Sequence, residues 1–225
     1  MKKESLRGKR IIPWFIGAAF VEFLIYYVVS LFVHDFDTYY YYLYFLERFI
    51  LLAIPVAAAA IMQRREKTRS GALKLAAQIS FTRLVAFFPF FYVEYVYGPY
   101  DSIEAVLIAL LSSLGAVVIY FVLCVAAYAL MRYVARRGGG AKYPARMLDL
   151  DSAATRSVFA VSLAIFIINL AVEIYSTVLF FIENGTIYYT NEIILMVCSY
   201  VFLAVLLLGI HAIGVIAFNR SEKTE

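Results

Sequence analysis

Only two cysteines occur in the 225 residues, Cys124 and Cys198. Both fall inside long apolar runs, where a thiol is expected to be a small packing side chain rather than half of a disulfide or redox pair. Chemistry-bearing motifs are just as scarce. There is no HExxH, paired CxxC, GxxxxGK or GxSxG spacing and no His/Cys cluster spaced for a metal, so no metal or cofactor is expected and no motif marks an enzyme. The apolar runs hold no Lys that would form a retinal Schiff base. The triplet Gly138-Gly139-Gly140 is followed by Ala-Lys-Tyr-Pro and reads as a flexible linker, not a phosphate loop. Charge is also sparse, at 16% of residues against 64% hydrophobic, with a mean hydropathy of +0.82. A soluble globule of ordinary composition is excluded, since those are about 45–50% apolar.

What charge there is falls in a pattern. All but two of the twenty Lys and Arg lie in residues 2–10, 64–74, 132–156 and 220–223. The apolar runs between these stretches are each broken midway by a short segment without a basic residue. Cytoplasmic loops of membrane proteins retain Lys and Arg, whereas translocated loops are depleted of them. The sequence therefore predicts an all-α integral membrane protein, a six-transmembrane-helix bundle with cytoplasmic N- and C-termini. It forms a single membrane domain over residues 1–225. The spans are predicted at about 11–33, 43–62, 75–97, 103–131, 157–182 and 187–218, with a basic cytoplasmic connection at 132–156. The first run is longer than the 7–15 apolar residues of a signal peptide and reads as an uncleaved helix. A multi-pass protein of a cell membrane, of the prokaryotic plasma-membrane kind, is the expected localisation. The net charge of +4 is then explained by topology and contact with anionic lipid rather than by nucleic acid.

Local signals refine the spans. Pro13 sits in a first turn, where its missing N–H costs nothing. Residues 34–42, with two Asp and four consecutive Tyr, are expected as an outer loop. Pro89 predicts a kink in the third span. Asp101 with Glu104 has capping-box spacing, Asp151 or Ser152 is placed to cap the fifth span, and Asn184-Gly185-Thr186 reads as a turn. Val-Glu recurs at Val21-Glu22, Val93-Glu94 and Val172-Glu173 in the three outward-running spans; a threefold helical-hairpin repeat would explain it, although the flanking residues align only loosely.

Charges at bilayer depth are costly, about 2.5–3.5 kcal/mol each on insertion scales, so each calls for a reason. Glu22 lies about 18 Å past Arg10 at 1.5 Å per residue, with Tyr26 and Ser30 on the same face. Ser162, Asn169, Glu173 and Ser176 form a similar stripe on the fifth span. Such stripes point either to a solute or proton site or to hydrogen bonding that holds the bundle together. Arg48, beside Glu47, and Arg83 are the two basic residues outside the topological clusters. Arg48 is expected to snorkel outward or to pair with a glutamate such as Glu173. For Arg83 the alternatives are snorkelling to lipid phosphate and an inner polar cluster with Gln78 and His211. Most tyrosines, Tyr92 among them, lie toward the outer side with Glu94, as an aromatic belt or as a vestibule suited to a small cationic or aromatic solute. The candidate ligand-binding set is Glu22, Tyr26, Glu47, Arg48, Tyr92, Glu94, Asn169 and Glu173.

In size, six-helix topology and cytoplasmic termini, the chain resembles the substrate-binding (S) components of energy-coupling-factor vitamin transporters. The resemblance is architectural. It implies capture of a vitamin-like ligand from the outer side, together with docking of small-residue helix faces on a coupling partner. Ala53 and Ala57, or the run Ala57–Ala60, would serve that docking, with Gly17-Ala18-Ala19 a poor copy of the family's alanine-rich first-helix signature. The first expected function is accordingly a solute-binding or transport subunit with an outward-facing Tyr/Glu-lined site. The alternative is a non-catalytic accessory or scaffold subunit of a larger membrane complex, meeting a membrane or ATPase partner through loops 63–74 and 132–156. An intramembrane lipid enzyme using Glu22, Glu173 or His211 ranks third.

Overall fold

The computed structural model describes residues 12–32, 36–65, 68–96, 102–139, 143–184 and 190–221. Within them, the side chains of Tyr26, Glu47, Arg48, Glu94 and Glu173 lie outside the described residues, as do Asp101 and the turn at 185–189. Among the described residues all regular structure is helical: α1 Ile12–Phe32, α2 Phe36–Arg65, α3 Arg69–Thr82, α4 Leu84–Val96, α5 Ser102–Arg137, α6 Ala153–Asn184 and α7 Thr190–Arg220. Three helical runs are long and apolar enough to cross a bilayer, namely Arg69–Tyr92, Ser102–Arg137 and Ala153–Ser176, while Ile12–Leu24 and Val205–Arg220 are shorter apolar helices.

Six apolar helical runs thus follow the six predicted, with three differences. The four consecutive Tyr, expected in an outer loop, are helical, because α2 already begins at Phe36. The basic connection is shorter than 132–156: α5 continues to Arg137 and α6 starts at Ala153, just after the predicted cap. The interruption of the third run falls at Arg83, ahead of Pro89, which sits inside α4. The cause is hydroxyl competition. Thr82 Oγ1 donates to the Ile79 carbonyl at 2.6 Å, the acceptor that the Arg83 N–H would use in a regular helix. That N–H turns instead to the Ser80 carbonyl at 3.1 Å, a tighter 3₁₀-type step. The basic loop before α3 ends at Thr68, whose hydroxyl caps the helix by accepting from Gly71 N–H at 3.1 Å, satisfying one of the orphan donors of the first turn.

Packing divides the chain into two compact units, residues 1–51 with 66–126, and residues 52–65 with 127–225. In the first, α1 lies against α3 and α4. In the second, α6 lies against α7; in the small-residue stretch of α2, Ala53, Ala58, Ala59 and Ala60 are buried. Ala57, named with them as a docking face, is half-buried. Gly214 of α7 is the point of closest approach there. A Cβ on it would stand 2.6 Å from Val158 Cγ1 of α6 and 2.7 Å from Val56 Cγ1 of α2.

The distribution of polarity is inverted relative to a water-soluble helix pair. Along α5, Ile103, Leu111, Val118 and Ile119 are each more than half exposed, as are Ile167, Ile168 and Ile182 on α6, while Ser113, Thr155, Ser157 and Ser162 are fully buried. Ser113 and Ser162 donate to carbonyls one turn back, Ala109 and Val158. Large contiguous apolar surface is rare on soluble monomers and marks contact with lipid or protein.

A buried ion pair as the candidate functional site

The first unit contains a buried salt bridge between Glu22 of α1 and Arg83. Arg83 Nη1 donates to Glu22 Oε2 and Nη2 to Glu22 Oε1, both at 2.6 Å. Arg83 is fully buried and Glu22 is 8% exposed. The break after Thr82 places Arg83 at the junction of α3 and α4, and α1 packs against both. The planar guanidinium thus meets the carboxylate in the two-pronged geometry that makes such pairs strong. Two aromatic rings close over the cation: its Cζ lies 4.9 Å from the Phe87 centroid and 5.2 Å from that of Tyr120. Phe87 and Tyr120 themselves meet edge to face at 5.9 Å. A lone buried charge would be costly; here it is paired and covered by ring faces.

Tyr120 extends the joint to a third helix. Its hydroxyl donates to the Leu51 carbonyl of α2. Leu51 is four residues before Pro55, which lies inside α2 and has no N–H to offer that carbonyl. A proline within a spanning helix is tolerated where a neighbour re-satisfies the freed group, and Tyr120 supplies that donor. We therefore expect Tyr120→Phe to lower stability by about 1 kcal/mol through the orphaned carbonyl. Restoring the N–H with Pro55→Ala should remove most of that cost, as read from denaturant unfolding of the four-variant cycle in detergent.

The second unit holds a different polar arrangement. The connection after α5 begins with Gly139 at φ +85°, a left-handed helix end that favours glycine, and then returns along the helices. Asn219 of α7 binds the backbone of Ala145 twice, accepting from its N–H and donating to its carbonyl, each at 2.8 Å. Thr155 Oγ1 accepts from Arg146 N–H at 2.9 Å. His211, 3% exposed, stands 2.8 Å through Nε2 from the Met147 carbonyl; because a carbonyl only accepts, Nε2 carries the proton. The ring packs edge-on against Phe159 at 5.4 Å.

Of the sequence-predicted residues, the structure brings Glu22 and Arg83 together, a pairing the sequence reading missed. Arg83, expected to snorkel or to join Gln78, does neither: it is enclosed on Glu22, and Gln78 is exposed. His211 serves the connection through Met147. Tyr92 is half-buried and stacks on Phe88 at 6.2 Å. Asn169 is half-buried in α6, and on the same stripe Ser176 is exposed. Tyr26, Glu47, Arg48, Glu94 and Glu173 have side chains outside the described residues. Cys124 is a buried free thiol. Among the described residues no group of His, Cys, Asp and Glu could hold a metal ion. No family model, curated protein or solved structure matches this chain.

Proposed function

We propose that this protein is a six-span integral membrane subunit with cytoplasmic termini, working as a non-catalytic accessory or scaffold component of a larger membrane assembly. The single observation that carries the reading is the Glu22–Arg83 pair. Glu22, one of the two carboxylates offered for a solute or proton site, is held through both its oxygens by Arg83 inside an aromatic cover. A binding site needs polar groups left open to a ligand; here they close a joint between α1 and the α3/α4 junction. Inverted polarity along α5 and α6 supports membrane embedding, and the clustering of Lys and Arg supports the orientation. The basic stretch 63–74, which runs from the end of α2 into the start of α3, and the apolar outer faces of the helices are the surfaces for a membrane or ATPase partner.

A solute-binding or transport role is the second reading. It draws on the aromatic ladder of α4, where Phe91 stacks on Tyr95 at 6.3 Å and Phe88 on Tyr92 at 6.2 Å. Mass spectrometry of the protein extracted in mild detergent separates the two. A stoichiometric partner subunit without a small molecule is the expected result, whereas a bound metabolite without a partner would replace the scaffold reading with the transport one. A cysteine introduced at Tyr41 should react with an impermeant thiol reagent from outside, and labelling from the cytoplasmic side alone would overturn the orientation.

A further inference from the structure

The segment between α5 and α6 has an irregular backbone, yet it is tied down at Ala145, Arg146 and Met147 by side chains of Asn219, Thr155 and His211. His211 lies nine residues before Arg220, the end of α7, about 13 Å at 1.5 Å per residue. The segment therefore runs back alongside the last turns of α7 instead of projecting from its end. Non-helical backbone at membrane depth is tolerated only where its polar groups are paired within the protein, and the three clamps provide that pairing. Its side chains face the other way: Leu148 is 87% exposed and Tyr143 78%, with Met147 and Leu150 also exposed. Residues 132–156 carry six basic against two acidic side chains; Arg136, Arg137 and Arg146 are exposed.

We propose that this segment is an interfacial wedge that docks on the anionic lipid of the cytoplasmic leaflet. Leu148 and Tyr143 enter the boundary between headgroups and acyl chains, and the surrounding arginines bind headgroup phosphates. Charge complementarity selects this occupant. Basic clusters beside a span are drawn to anionic lipid, and apolar side chains flanked by Arg are the composition of an interfacial anchor. The wedge rests on the bilayer-embedded reading above, but it adds a fixed lipid contact that topology alone does not require.

Fluorescence quenching tests it on the full chain. In a Cys124→Ala, Cys198→Ala background, the variants Leu148→Cys, Asp151→Cys and Val118→Cys are labelled with nitrobenzoxadiazole. They are then reconstituted into vesicles of phosphatidylcholine and phosphatidylglycerol. A nitroxide near the headgroup end of the acyl chain should quench the label at 148 several-fold more than that at 151, and aqueous iodide should show the reverse order. Omitting phosphatidylglycerol should raise iodide access at 148. Strong iodide quenching at 148 in the anionic vesicles would overturn the wedge. Protection at 148 from both quenchers would also overturn it, since another protein surface would then cover the segment. The label at Val118, on the apolar face of α5, keeps the two readings apart. The label at Val118 is read with a nitroxide near the terminal end of the acyl chain: if that quenches 118 while the shallow one leaves 148 unquenched, only the wedge fails; if neither label is quenched, membrane embedding fails with it.

Discussion

Replacing Arg83 with Met is expected to destabilise the protein by about 3–5 kcal/mol, because removing one partner leaves the other charge buried and uncompensated. The side chain lost is itself fully buried, and Met is an unbranched, adaptable filler for much of its volume. The loss should therefore come mainly from stranding Glu22, whose carboxylate would retain neither of its 2.6 Å donors. Phe87 and Tyr120 would keep an apolar neighbour in place of the cation. The measurement is denaturant unfolding in detergent, with Glu22→Gln as the second single variant. A change within a few tenths of a kcal/mol would show a surface-like pair, whose worth is about 0–1 kcal/mol.

Gly214→Ala carries the second large effect, and its sign is diagnostic. Without a tertiary contact, Ala would stabilise a helix interior by about 0.5–1 kcal/mol over Gly. Here the new methyl would meet Val158 Cγ1 at 2.6 Å and Val56 Cγ1 at 2.7 Å. Both obstructing groups belong to valines in helices, which are held in one strongly preferred rotamer and cannot turn aside. Net destabilisation of about 1–3 kcal/mol is expected from the overpacking, read as a lowered unfolding midpoint. Adding Val158→Ala and Val56→Ala should bring part of it back. Stabilisation by Gly214→Ala alone would mean that α2, α6 and α7 do not meet there.

The helices were legible in this sequence because long apolar runs and basic clusters report chemistry that each segment carries by itself. The start of α6 followed from the polar residues Asp151 and Ser152 ahead of an apolar run. Where the reading failed, the deciding interaction was with another group. The Thr82 hydroxyl takes a carbonyl one turn back at the break in the third run, a choice that periodicity does not display. Tyr39–Tyr42 looked like a loop by composition yet continue α2.

Glu22 and Arg83 were each singled out correctly as charges needing an explanation, and their heights were nearly enough to join them. One is twelve residues past Arg10 and the other nine past Lys74, about 18 and 14 Å from the basic side at 1.5 Å per residue. That difference is within reach of two long side chains. Height along a span is readable from sequence, but which spans are neighbours is not, so the alternatives for Arg83 are snorkelling and a cluster with Gln78 and His211, with Glu22 absent from both. Likewise, nothing local in Tyr120 announces that it serves the carbonyl freed by Pro55.

The direct test of the account is the unfolding free energy of the double variant Glu22→Gln with Arg83→Met, set against the two single variants. If the pair is a neutral structural joint, each single loses several kcal/mol and the double recovers most of that loss, since removing both charges leaves nothing stranded. Losses that simply add in the double variant would mean that the two residues act independently, and the joint between α1 and the α3/α4 junction would not exist as described.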